Sequence, residues 1–207
     1  SIFNTNKKKL DFTKITKCGV NQQLIAPKLL WLKKNEPNNF RKINKIMGSY
    51  DFINYKLSGV FNIEHNWALE SGLMDFNKKS FTTNLLKLGK IKKSWLPNIS
   101  SSEKQIGALK YKIAKKTNLS EGIPIISGCA DHIVSAFVAG VNNSGDVLLK
   151  FGGAGDIMVS SKQPFKDTRL FNDYHIIPGL YMPNGCMATS GSLLNWFVDL
   201  INMNKRI

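Results

Sequence analysis

The sequence predicts an α/β fold, and two neighbouring stretches carry that prediction. The first, 123–140, contains an apolar strand, a turn at Gly128 and an apolar helix that begins near Asp131. The second is the glycine-rich run 151–156, which has β-forming residues on both sides and is typical of a hairpin turn. A carboxylate at a strand-to-helix turn lies at the rim of a sheet, where open α/β folds bind ligands. Because bare glycine backbone can approach a phosphate, the two stretches together suggest a phosphoryl-transfer site.

Length and composition are those of an ordinary globular protein. A chain of 207 residues is long enough to bury a core. Its residues are 43% hydrophobic and 21% charged, as in ordinary globular proteins. The longest apolar runs, 29–32 and 133–141, fall well short of the roughly 20 residues that a membrane span requires. No basic-then-apolar leader opens the sequence, and the three widely spaced cysteines argue against a disulfide framework or a zinc site. We therefore expect a cytoplasmic protein with no membrane partner.

The formal net charge of +15 raises the question of nucleic-acid binding. The lysines are scattered in short runs at 7–9, 33–34, 92–93 and 115–116, and aromatic residues are not interleaved with them as stacking platforms would be. The sequence is also rich in Asn and Ile, so we interpret the charge as a compositional bias of exposed surfaces. We expect no nucleic-acid partner. Salt-dependent retention on DNA would instead support a basic nucleic-acid-binding domain.

The first part of the chain is predicted to form a helical layer. An amphipathic helix is expected at 28–35, after Pro27, with Trp31 in its core, and Pro37 ends it or opens the next. Apolar residues at 40, 43, 46 and 47 continue the helical spacing. Further helices are expected at 50–57 after a Ser49 cap, 68–73, 80–88 after a Ser80 cap, and within 107–119. His65 and Asn66 could face a sugar, but with no partner carboxylate recognised nearby His65 is interpreted as structural.

The second part of the chain is predicted to be rich in strands. The small polar run 142–145 is a plausible hinge, which predicts two domains at 1–143 and 144–207. Strands are expected at 147–151 and 157–161, on either side of the glycine turn, and at 174–177 and 180–182. A final amphipathic helix is expected at 193–203, capped by Thr189 or Ser190.

The residues with chemical potential each have a structural alternative. Asp131 is explained equally well as a helix N-cap and as a general base that takes the proton of an attacking hydroxyl. By spacing alone, the glycines of 152–155 favour a tight hairpin turn over a phosphate-binding turn. Lys150 could contact phosphate or solvent, and Asp156 a metal or water.

Short segments along nearly all of the chain occur in an order typical of one enzyme family. They are Pro27-Lys28-Leu29-Leu30-Trp31-Leu32 with Asn35 and Pro37, Asp51-Phe52-Ile53 with Leu57-Ser58-Gly59, Ser71-Gly72-Leu73-Met74-Asp75, Trp95-Leu96-Pro97, Gly107, and Ile123-Pro124-Ile125-Ile126-Ser127-Gly128 leading into Asp131. In this order the sequence resembles the FGGY carbohydrate kinases, the family of glycerol kinase, xylulokinase and related sugar kinases. The block 174–191 is closer to xylulokinase-like members than to glycerol kinase.

The resemblance implies a fold, a reaction and a set of site residues. The fold would be the α/β actin-like ATPase (ribonuclease H-like) type, with most of lobe one and the start of lobe two present. The reaction would transfer the γ-phosphate of ATP, with Mg²⁺, to a hydroxyl of a small-molecule sugar, a pentulose such as xylulose, with a homodimer as the candidate assembly. Asp131 would be the catalytic base and His132 a sugar-contacting residue. The nucleotide phosphates would meet the second-lobe loop formed by Gly152, Gly153, Ala154 and Gly155.

The sequence departs from the family pattern at three places. The phosphate loop is usually Gly-Thr-Ser-Gly, and here Gly153 and Ala154 replace the hydroxyl residues. The Asp-x-Gly-Thr turn of the first lobe, which binds phosphate and magnesium, does not occur in the 207 residues, nor does the late adenosine-binding Gly-Gly region. We therefore expect an internal fragment of such a kinase. A catalytically inactive, kinase-derived sugar- or nucleotide-binding protein, or an inert truncation, is the alternative.

Overall fold

The computed structural model describes residues 12–20, 24–167 and 169–201, and the chain divides into two compact units, 1–130 and 131–207. The unit boundary precedes the helix that begins at Asp131, whereas the hinge expected from the sequence follows that helix. The hinge as a boundary between lobes stays a prediction. No helix in the described ranges is long and apolar enough to cross a membrane.

Unit 1 alternates short helices with short strands. Its elements are α1 Phe12–Thr16, α2 Ile25–Asn35, α3 Pro37–Arg41, α4 Ser49–Ser58, β1 Asn62–Glu64, α5 His65–Glu70, β2 Met74–Asp75, β3 Ser80–Phe81, α6 Thr83–Gly89, a 3₁₀ turn Lys93–Trp95, β4 Asn98–Ser100, β5 Gln105–Ala108, α7 Tyr111–Thr117 and β6 Pro124–Ile126. β1 pairs with β4 in parallel, while β2 with β3 and β5 with β6 are antiparallel. The largest fully buried apolar side chains of this unit are Leu24, Ile63, Leu69, Leu73, Met74 and Leu85.

Local chemistry explains where the central helices of unit 1 begin and end. α4 begins after Gly48, whose amide donates to Asp51 Oδ2 at 3.2 Å. It ends at Gly59, where φ is +79°, a left-handed conformation that glycine adopts without steric cost. The carboxylate of Glu64 caps α5, and the side chain of Thr82 caps α6. Each cap satisfies backbone amides that a helix start leaves without a partner.

The structure corrects several of the sequence expectations in unit 1. Trp31 is 58% exposed and does not lie in the core. The apolar residues at 40, 43, 46 and 47 do not share one helix: α3 ends at Arg41. Ser80 lies in β3 rather than capping a helix. The predicted helix within 107–119 is shorter, because Gln105–Ala108 is drawn into pairing with β6.

Unit 2 is an antiparallel sheet with a helix before it and a helix after it in the sequence. Its elements are α8 Asp131–Val138, β7 Val147–Phe151, β8 Gly155–Val159, β9 Phe171–Tyr174, β10 Tyr181–Met187 and α9 Gly191–Leu200. The strand order is β7-β8-β10-β9, and every pair in this sheet is antiparallel. The predicted helix after Gly128 and the predicted hairpin around the glycine run are thus confirmed. Met158, Tyr174 and Met182 are buried on the sheet, whereas the α9 side chains Leu194, Trp196 and Leu200 are mostly exposed.

Candidate active site

Asp131 is the first residue of α8, and its side chain is fully exposed. Its Oδ1 accepts a hydrogen bond from the backbone amide of His132 at 2.7 Å. The carboxylate therefore satisfies one backbone amide at the start of the helix, as a cap does, and remains accessible to a reactant. Both interpretations of Asp131 offered by the sequence are compatible with this geometry.

His132 is attached to the sheet by a buried carboxylate. Its Nε2 lies 3.2 Å from Oδ2 of Asp173, whose side chain is 3% exposed. The same oxygen accepts a hydrogen bond of 2.6 Å from Nδ2 of Asn184 on the adjacent strand β10. The other ring nitrogen, Nδ1, lies 3.7 Å from Asp131 Oδ1. His132 thus lies between an exposed carboxylate on its own helix and a buried one on β9.

The glycine run forms the turn between β7 and β8, and this turn is hydrogen-bonded to the start of α9. The amide of Ser190 donates to the carbonyl of Gly153 at 2.7 Å, and the amide of Gly191 donates to the carbonyl of Gly152 at 2.8 Å. Within the turn, the Gly152 amide donates to the Ala154 carbonyl at 2.9 Å. The turn is therefore held by backbone hydrogen bonds to an element that sequence reasoning did not associate with it.

Side-chain hydroxyls lie close to the glycine positions of the turn. A Cβ atom added at Gly153 would lie 3.2 Å from Oγ of Ser192, and one added at Gly155 would lie 3.3 Å from Oγ of Ser190. Two hydroxyls from the start of α9 thus border the turn, where the family pattern has hydroxyls within the loop itself. Glycine backbone and nearby hydroxyl donors suit phosphate oxygens, so the residues present fit a phosphate tail.

The residues near the turn fit a magnesium ion less well than they fit a phosphate group. Mg²⁺ prefers carboxylate oxygens as ligands. The carboxylate that follows the turn, Asp156, lies opposite Lys150 across the hairpin, with Nζ 3.6 Å from Oδ2. Asp156 also interacts with Cys186 on β10, and this hydrogen bond raises the pKa of the thiol. Since Lys150 and Cys186 both engage Asp156, we do not assign this residue as a magnesium ligand and derive no step through the ion.

The contact between turn and helix predicts the effect of a methyl group at Gly191. A Cβ there would lie 2.8 Å from the carbonyl oxygen of Gly152, closer than real contacts allow. We expect Gly191→Ala to lower the free energy of unfolding of unit 2 by about 1 to 3 kcal/mol, because the turn must move. Gly152→Ala is the matched control, since its Cβ would meet only the Ala154 carbonyl at 3.7 Å, an ordinary contact. Urea denaturation of both variants would contradict the packing argument if they lost equal stability.

Unit 1 contains a buried polar cluster around Glu64, a residue that sequence reasoning missed. The Glu64 side chain is 0% exposed. Its carboxylate accepts four hydrogen bonds, from Tyr50 Oη at 2.9 Å, Ser102 Oγ at 2.8 Å, and the backbone amides of Asn66 at 2.9 Å and Trp67 at 3.1 Å. This arrangement joins α4, β1, α5 and the loop after β4, so the cluster is part of the framework of the unit.

Burial dominates the electrostatics of this cluster. Loss of water raises the pKa of Glu64 to about 7, although its four hydrogen bonds act in the opposite direction. Burial also raises the pKa of Asp51 to about 6, with its Oδ1 accepting the Glu64 amide at 2.9 Å. The pKa of Tyr50 is raised by burial and by these carboxylates, so its hydroxyl stays protonated as a donor. His65 Nε2 lies 3.2 Å from Glu64 Oε1, which gives His65 the partner carboxylate that the sequence analysis did not recognise.

Comparison with known proteins identifies the family. Residues 2–138 match the N-terminal domain of the FGGY family of carbohydrate kinases. This chain belongs to that family. The xylulose kinase of Lactococcus lactis is 29% identical over 189 residues, which cover 89% of this chain and 37% of that protein.

Solved structures of FGGY kinases give the same result. The xylulose kinase structure from Rhodospirillum rubrum has a TM-score of 0.93 at 42% identity, covering 99% of this chain and 42% of that one. The ligand-bound xylulose kinase from Lactobacillus acidophilus has a TM-score of 0.83 at 26% identity, over 95% of this chain and 41% of that one. The predicted actin-like ATPase fold is thereby confirmed. The chain spans about two fifths of the length of these FGGY relatives.

Proposed function

We propose that this chain is part of an ATP-dependent carbohydrate kinase that phosphorylates a hydroxyl of a pentulose such as xylulose. The observation that carries the proposal is the exposed carboxylate of Asp131 beside a histidine anchored to the sheet. The names of the relatives support the substrate class, since several are xylulose kinases. The proposal concerns the whole polypeptide, because this chain spans less than two fifths of the length of these relatives.

Each residue of the site has a role in the proposed reaction. Asp131 takes the proton of the sugar hydroxyl while the hydroxyl oxygen bonds to the γ-phosphorus. The bond from that phosphorus to the β-phosphate oxygen breaks, and ADP leaves with the electron pair. His132 contacts the sugar. The turn formed by Gly152, Gly153, Ala154 and Gly155, with the adjacent serine hydroxyls, holds the nucleotide phosphates.

The proposal is tested by sugar-stimulated formation of ADP from ATP. We expect the full natural polypeptide that carries this sequence to form ADP faster with xylulose than with glycerol or with no sugar. A panel of pentuloses, hexuloses and polyols would define the preferred acceptor. ADP formation that no sugar stimulates would overturn the proposal.

A second candidate function is a catalytically inactive, kinase-derived protein that binds a sugar or nucleotide. It is favoured by Gly153 and Ala154, which stand where the family has hydroxyl residues. Calorimetry together with the ADP assay distinguishes the two functions. An inactive relative would bind xylulose or ATP in the calorimeter but would form no ADP. The cytoplasmic location, the homodimer and the lobe boundary at residue 143 remain predictions.

A further inference from the structure

We infer that Asp173 is a positioning residue that sets the orientation and the protonated nitrogen of His132, and through it the affinity for the sugar. The inference rests on the proposed function for the part that concerns the sugar. It concerns a residue 41 positions away in the sequence, on β9, which no motif around Asp131 indicates.

The first step of the argument is the burial of Asp173. A carboxylate that is almost entirely removed from water costs free energy unless donors surround it. Its Oδ2 has two such partners, Nδ2 of Asn184 at 2.6 Å and Nε2 of His132 at 3.2 Å. An ionised carboxylate only accepts hydrogen bonds, so Nε2 must carry the proton that points to it. Asp173 therefore selects the imidazole form in which Nε2 is protonated.

The second step is the direction that this contact gives to the ring. With Nε2 held on β9, Nδ1 lies 3.7 Å from Oδ1 of Asp131, on the same side as the proposed base. In the neutral ring, Nδ1 is then the hydrogen-bond acceptor. It can accept a hydrogen bond from a sugar hydroxyl adjacent to the one that Asp131 deprotonates.

His175 supplies an internal reference for the proposed ring form. Its Nε2 lies 2.7 Å from the carbonyl oxygen of Val141, and its Nδ1 accepts the amide of Ile177 at 2.8 Å. A carbonyl can only accept and an amide can only donate, so His175 is fixed as the neutral ring with the proton on Nε2. The spectrum of His132 can be compared directly with that of His175.

The test begins with the imidazole nitrogen resonances of the 207-residue chain at pH 8, assigned by replacing each of its three histidines with Asn. We expect His132, like His175, to carry its proton on Nε2, and this proton to exchange slowly with water. In Asp173→Ala the proton should exchange rapidly and the ring should populate both neutral forms. Asp173→Asn, which keeps an oxygen acceptor, should restore the native pattern. A native ring protonated on Nδ1, or a His132 spectrum unchanged in Asp173→Ala, would overturn the inference.

Asn172→Ala is the matched control for loss of a buried polar side chain on β9. Asn172 is 2% exposed, and its side chain forms two hydrogen bonds with the backbone of Phe165. We expect this variant to leave the His132 resonances unchanged. A similar change in both variants would show that general loosening of the strand, not Asp173 itself, controls the ring.

Kinetics in the full natural polypeptide test the link to the sugar. We expect Asp173→Ala to raise KM for the sugar about tenfold, with kcat changed less than about threefold, the effect of losing one oriented hydrogen bond. Asn172→Ala should leave both constants near their native values. A native protein without sugar kinase activity would overturn the proposed function, while the spectra would still decide the role of Asp173. An altered His132 spectrum with unchanged KM would overturn the role of Asp173 in sugar affinity.

Discussion

Asp131→Asn is expected to lower kcat for sugar phosphorylation by about 10²- to 10⁴-fold, the usual contribution of a general base. The amide cannot take the proton of the attacking hydroxyl. It can still accept a hydrogen bond from the His132 amide, because Asn caps helices as well as Asp does. The variant therefore removes the proposed chemical role of Asp131 and retains its hydrogen bond to the His132 amide.

The two interpretations of Asp131 give opposite results in this experiment. If Asp131 served only as a cap, Asp131→Asn would keep both stability and turnover. The measurement pairs ADP formation in the full natural polypeptide with thermal denaturation of the same protein. Asp167→Asn, at a partly exposed aspartate of unit 2 that pairs with Arg169, is the control and should retain native turnover. Native kcat in Asp131→Asn would remove the general base from the mechanism.

Glu64→Ala is expected to lower the free energy of unfolding of unit 1 by about 3 to 5 kcal/mol. The substitution leaves the buried donors that surround the carboxylate without an acceptor. Glu64→Gln is the matched variant, because its side-chain oxygen can replace Oε2 and its amide can donate to the rotatable hydroxyl of Ser102. Urea denaturation followed by tryptophan fluorescence, with Trp67 as the local reporter, measures both. Equal losses in the two variants would contradict the hydrogen-bond argument.

Stability should also depend on pH through Glu64. Its carboxyl has an ordinary pKa of 4.5, which burial raises to about 7 in the folded chain. Between these values the folded form binds a proton that the unfolded form does not. The contribution to stability is therefore complete below about pH 4.5 and is lost as the pH rises to about 7, by about 3 kcal/mol.

Comparison with Glu64→Gln isolates this contribution, since Gln does not titrate. The native chain and Glu64→Gln should be similarly stable at pH 5, and Glu64→Gln should be the more stable at pH 8. Asp51, with a pKa raised to about 6, acts in the same direction in both proteins and cancels. His65 Nε2 faces Oε1 of Glu64, so the series is repeated in a His65→Gln background. A difference that stays constant with pH would contradict the raised pKa.

The sequence predicted those parts of the fold that local patterns determine. The apolar helix of α8 begins at Asp131 because the turn at Gly128 precedes it and apolar residues then repeat at helical spacing. The β7–β8 hairpin follows from two β-forming runs around a glycine turn. Trp31 was misplaced because a short amphipathic helix does not indicate which of its faces another element covers.

Contacts between distant residues were not predictable in the same way. Asp173 meets His132 only because strand pairing places β9 beside β10 and α8 lies near this part of the sheet, and no periodicity encodes that proximity. Glu64 is different, because a signal was available in the sequence. A glutamate directly before His65 and the start of a helix is in position to cap the first amides, and the carboxylate stands next to the histidine.

The separate anchoring of Asp131 and His132 has a consequence for how such an enzyme can diverge. The two residues are adjacent in the chain. The histidine contacts Asp173 on β9, which Asn184 on β10 also contacts, whereas the aspartate side chain is exposed to solvent. Under the proposed mechanism, substitutions on those strands would shift the discrimination among sugar acceptors and leave the proposed base untouched. Selection can thus act on substrate preference and on chemistry through different parts of the polypeptide.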